Sequence, residues 1–89
     1  MTDDEADVDM TLRAVLRDVL GIANDRVQTM TEATLLFGAL PEMDSMAVAT
    51  LLTELEDRLG TVINDADIHA ETFENFGALM SFLLHKTLI

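Results

Sequence analysis

Apolar residues return every three or four positions in three separate stretches of this chain, and no stretch alternates long enough to suggest a strand. That period commits the chain to helices that bury one face each. Val8, Leu12, Val15, Leu16 and Val19 form the first stripe, with acids at its start and Gly21 at its end as a C-terminal stop. Val48, Leu51, Leu52, Leu55 and Leu59 form the second, in a helix running from about Ser45 to Leu59. Asp44 or Ser45 can cap its start, and Arg58 and Gly60 mark its end. Phe76, Leu79, Met80 and Leu83 form the third, from about Asn75 to Lys86. Residues 22–44 keep no period and carry turn signals at Asn24, Asp25, Gly38 and Pro41, so a long first loop is expected there. Leu35, Leu36 and Phe37 are expected to pin that loop to the core through one short helical turn. Thr61, Val62 and Ile63 read as an extended connector, and Asn64 to His69 as a short helix with Ile68 facing inward. The predicted fold is all-α: a small four-helix bundle of three main helices and one short one.

At 89 residues the chain has material for one domain, residues 1–89, with one small core and no deep active site. Seventeen Asp and Glu face five Lys and Arg, a net charge of −12. Such a surface disfavours nucleic acid and anionic lipid and favours partners with basic patches. Without cysteine, disulfide and thiolate chemistry are excluded. The N-terminus lacks a basic segment followed by an apolar one, and no apolar run approaches the ~20 residues that span a bilayer. A cytoplasmic location is the default expectation, without membrane insertion.

Enzyme and metal motifs fail one by one. His69 and Glu71 spell H-x-E, but the zinc-deaminase signature also needs a P-C-x-x-C. Asp65-Ala66-Asp67 opens like a calcium loop, yet its sixth position is Ala70 and its twelfth Phe76, where Gly and Glu are required. Phosphate-loop, nucleophile-elbow and dinucleotide fingerprints are missing. His69 and His85 read as surface histidines. No catalytic residue and no metal ligand is expected.

Ser45 is the side chain that remains. It stands where the polar loop meets the central helix, and a phosphate attached there would meet unpaired backbone N–H groups and the positive end of the helix dipole. The plain alternative is that Ser45 merely caps the helix. Met46 lies roughly 160° around the helix from Val48, outside the buried stripe. A methionine beside an exposed serine suits a partner contact, because its side chain adapts to several surfaces.

The string Leu40-Pro41-Glu42-Met43-Asp44-Ser45-Met46 resembles the Asp-Ser-Leu attachment motif of acyl carrier proteins, with Met for Leu. Val48, Leu51, Leu55 and Leu59 match that family's inward-packing second helix. Residues 54–60 resemble its acidic end, and Ile63, Ile68, Phe73, Phe76 and Leu79 its last two helices. The resemblance implies a monomeric carrier that takes 4′-phosphopantetheine from coenzyme A on Ser45, through a phosphopantetheinyl transferase, and holds acyl groups as thioesters. Asp44 would position the serine and the transferase's magnesium. Met46, Ala49, Thr53, Glu54, Glu56 and Asp57 would meet the transferase and the acyl-loading and acyl-transferring enzymes through basic docking patches. Two departures separate this chain from fatty-acid-synthesis carriers: Ala47, Val48, Ala49 and Thr50 stand where acids usually follow the serine, and the segment before Asp44 is longer. Both favour a dedicated carrier for a secondary or surface-polymer pathway, and the motif string resembles carriers of exopolysaccharide and exosortase systems. A peptidyl or aminoacyl carrier, and a non-enzymatic acidic adaptor, are the alternatives; an adaptor has no use for a modifiable serine at a helix start.

Overall fold

Each of the three periodic stretches becomes a long helix. The computed structural model describes residues 3–37, 40, 44–64, 66 and 68–87, with the side chains of Asp3 and Ala70 not described. In chain order the elements are α1 (Asp3–Leu20), a five-residue α2 (Asn24–Gln28), α3 (Ser45–Leu59), a 3-10 turn (Ala70–Phe73) and α4 (Phe76–Thr87). α1 packs against α2, α3 and α4, and the 3-10 turn packs on α4. Among the described residues there is no strand, only one isolated antiparallel bridge between Leu35 and Asn75.

The predicted stripes supply the core. Leu12, Val15 and Leu16 of α1, Leu51 and Leu55 of α3, and Leu79 and Leu83 of α4 are fully buried. Each such side chain gains roughly 1.5–3 kcal/mol from leaving water. Val19, Val48, Leu52, Leu59 and Met80, on the edges of their stripes, are partly buried against it. Gly21 and Gly60 take left-handed φ values of +70° and +67° just past α1 and α3, and their N–H groups donate to Arg17 O and Glu56 O. Those are the two helix stops read from the sequence. The Asn75 carboxamide accepts from the Ala78 N–H at 2.7 Å and starts α4.

The first loop departs from expectation. It contains α2, which buries Val27. One α1 residue organises this segment: the Arg13 guanidinium donates to Asp9 and to the carbonyls of Val27 and Met30, and lies 4.6 Å from the centroid of the Phe76 ring. Of the trio expected to pin the loop, Leu36 alone is buried; Leu35 and Phe37 are exposed. The pinning comes largely from backbone. Leu36 N–H donates to Glu74 O, Phe37 N–H to Phe73 O, Phe76 N–H to Thr34 O and Gly77 N–H to Glu32 O, all at 2.9–3.1 Å. The Leu40 N–H also donates to Leu36 O at 2.9 Å, an i to i−4 bond of the kind one helical turn makes, with residues 38 and 39 outside the described set.

The short helix expected over residues 64–69 is described only in part. Asn64, Ile68 and His69 are non-helical, Ala66 holds a 3-10 conformation, and residues 65 and 67 lie outside the described set. The helical turn sits at Ala70–Phe73. It is set by Thr72, whose hydroxyl accepts from the His69 N–H while its own N–H donates to His69 O. Ile68 still packs against the core. Among the described residues no helix is long and apolar enough to cross a membrane.

Candidate functional site

The start of α3 divides two tasks between neighbours. Asp44 is the N-cap: its backbone is extended, and its carboxylate accepts from the Ala47 N–H at 2.8 Å. Ser45, the first helical residue, is exposed and has no side-chain hydrogen bond to another described residue. Capping, the plain explanation for a serine here, is thus supplied by Asp44. The Ala47 and Val48 N–H groups are taken by the Asp44 side chain and carbonyl, which leaves those of Ser45 and Met46 as donors without a helical partner. The chain's other serine, Ser81, lies well inside α4, where no such donors are free.

Beside Ser45 opens a cleft of about 310 Å³ lined by Phe37, Ser45, Val48, Ile68, His69 and Phe73. Four of those six side chains are apolar and come from three separate segments: the first loop, α3, and the stretch through the 3-10 turn. A larger groove of about 870 Å³, bounded by α1, α4 and residues 31–33, shares no residue with it. A hydroxyl free for esterification, unpaired N–H donors beside it and an apolar wall fit a phosphate-linked arm that is polar at its root and carries an apolar load.

The comparisons bear on this arrangement directly. The family described as "Phosphopantetheine attachment site" matches residues 11–83. The chain belongs to that family. Among solved structures it is similar to the solution structure of a holo acyl carrier protein from Nitrosomonas europaea. The two share 39% identity over 96% of this chain and 95% of that one, with a TM-score of 0.77. No curated protein gave a significant match.

The chain is therefore a non-enzymatic acyl carrier of the phosphopantetheine-attachment family, and its cofactor is a covalently attached 4′-phosphopantetheine. An adaptor without a cofactor is set aside. A carrier works by visiting partner enzymes, and the exposed face of α3 holds the residues expected to meet them. Met46 is 81% exposed, on the far side from the core as its helical phase requires. Ala49, Thr53 and Asp57 are exposed on the same helix. Glu54 and Glu56 are only half exposed and already engaged. Glu54 pairs with Arg58 at 2.9 Å, and Glu56 accepts from the Ile63 N–H at 3.1 Å, tying α3 to the connector.

Two cleft residues carry no sign in the sequence of their place in the cleft. Phe37 was expected in the core, since nothing in its local pattern separates a buried apolar residue from one that walls a surface cleft. His69 reads as a surface histidine and is exposed; its place in the same cleft as Ser45 depends on the Thr72 turn and on how the connector returns, neither of which a short motif records.

Proposed function

We propose that Ser45 is the residue that bears the 4′-phosphopantetheine arm. The observation that carries this reading is the division of labour at the start of α3: Asp44 caps the helix, so the exposed Ser45 hydroxyl is left for the phosphodiester, beside two unpaired N–H donors and the apolar cleft. A phosphopantetheinyl transferase transfers the arm from coenzyme A, and the arm's terminal thiol then supplies the group on which an acyl chain is held as a thioester. Asp44 keeps the serine at the first helical position and contributes a carboxylate beside it for the transferase's magnesium. Met46, Ala49, Thr53, Asp57 and the outer edge of Glu54 form the docking face for transferase and acyl-handling enzymes whose basic patches match its charge. Glu56 contributes charge there while its carboxylate holds the connector in place. Phe37, Val48, Ile68 and Phe73 offer the load a surface out of water. The carrier acts as a monomeric single domain in the cytoplasm. Its pathway is a secondary or surface-polymer one, favoured by Ala47, Val48, Ala49 and Thr50 after the serine.

Incubation with coenzyme A, magnesium and a broad-specificity transferase tests the assignment by intact mass. The wild-type chain should gain one phosphopantetheinyl group and Ser45→Ala none, with both proteins folded by circular dichroism. A wild-type chain that stays unmodified with several active transferases would remove the assignment.

A further inference from the structure

We propose that protonated His69 is the counter-charge for the phosphodiester on Ser45, holding the root of the arm across the cleft; this rests on Ser45 being the attachment residue. The arm adds a negative charge to a chain already at −12, immediately beside the Asp44 carboxylate. Two backbone N–H donors answer part of it, and a cation in reach would answer the rest. The lysine and arginine side chains are committed elsewhere. Arg13 is bound to Asp9, Val27 O and Met30 O, Arg17 to Asp18 and Asn24, and Arg58 to Glu54 and Asp18. Arg26 and Lys86 make contacts of their own, and none of the five lines the cleft.

His69 lines the same 310 Å³ cleft as Ser45. Its backbone is held from both sides by Thr72, so the imidazole leaves a fixed anchor rather than a drifting loop. Among the cleft's lining residues it is the one side chain that can take a proton near neutral pH. The described acids nearest the cleft residues in sequence are Asp44, next to Ser45, and Glu71 and Glu74, near His69. All are acids and all are present with or without the arm, so the change on modification comes from the phosphodiester alone. A phosphodiester in contact adds an opposite charge, which favours the imidazolium and raises the pKa. The contact therefore tightens as pH falls through the histidine range and loosens above it.

The experiment follows the His69 ring signals by NMR through a pH titration of the unmodified protein and of the protein carrying the arm, with intact mass confirming each state. The His69 midpoint should move upward on modification, the direction that one opposite charge in contact imposes. His85, at the end of α4, should not move. The phosphodiester's phosphorus signal should titrate with the same midpoint, lose that titration in His69→Gln, and weaken its response in high salt. Equal His69 midpoints in the two mass-verified states would overturn the inference while leaving Ser45 as the attachment site. A mass showing no modification of Ser45 would overturn the site assignment and this inference with it.

Discussion

The two ends of α3 are built from the same kind of residue and do opposite things. At its C-terminal end three of the four charged side chains are tied down, with Asp57 left exposed. Arg58 bridges Glu54 and Asp18, linking α3 to α1; Glu56 holds the Ile63 N–H; and Gly60 closes the helix above a fully buried Leu55. At its N-terminal end Asp44, Ser45 and Met46 are all exposed, and among the described residues the one hydrogen bond their side chains make is the Asp44 cap. One end anchors the helix in the bundle, and the other presents a serine, a carboxylate and a methionine to whatever docks. Stability and function can then be changed separately by mutation along fifteen residues of one helix.

The largest expected break in that comparison is Leu55→Ala. It removes a side chain with no solvent exposure at the anchored end and should cost about 2–5 kcal/mol in denaturant unfolding. Asp44→Ala comes next. Losing the cap should cost about 1 kcal/mol, whereas Asp44→Asn should keep most of that stability, because its amide oxygen can still accept from the Ala47 N–H. If the carboxylate also serves the transferase, both variants should be modified more slowly, so unfolding and modification rates together separate the cap from the charge.

A smaller effect belongs to Asp18, the α1 partner of the anchored end. Hydrogen bonds from Arg17 first and Arg58 second hold its carboxyl below the ordinary value of 3.8. A group lowered in the folded state contributes stability that is present above its unfolded pKa and is lost as pH falls through the folded one. The contribution should thus be complete at neutral pH and fade below about pH 4. Thermal unfolding of wild type and Asp18→Asn should differ slightly at pH 7 and converge in acid. Curves that separate further as pH falls would contradict the ion-pair account. The smallest stability effect is expected at Met46: Met46→Ala should stay within about 0.5 kcal/mol of wild type, yet be modified more slowly by the transferase. A strongly destabilised Met46→Ala would place that side chain in the core.

The helices were legible because burial imposes a period, and the period showed in Leu12, Val15, Leu16, Leu51, Leu55, Leu79 and Leu83, all fully buried. The helix stops at Gly21 and Gly60 were legible because a left-handed backbone selects glycine. The same phase argument put Met46 outside. What escaped depends on contacts distant in sequence. α2 and the path of the first loop are held by Arg13 from α1 and by backbone bonds to residues 73–77, and neither leaves a period. The 3-10 turn at Ala70–Phe73 left no mark because one Thr72 hydroxyl decides where the connector ends. The candidate site was half legible for the same reason. Asp44, Ser45 and Met46 are consecutive and stand out as a motif, whereas Phe37, Ile68, His69 and Phe73 meet Ser45 only in the fold.

The most direct test of the two-ended account is to locate the arm. The chain has two serines: Ser45 at the open start of α3 and Ser81 within α4. Fragment mass spectrometry of the protein isolated from its native host, with the phosphodiester preserved, should find phosphopantetheine on the peptide containing Ser45 and none on the peptide containing Ser81. An arm on Ser81, or on a threonine such as Thr50 or Thr53, would contradict the assignment of function to the exposed end of α3.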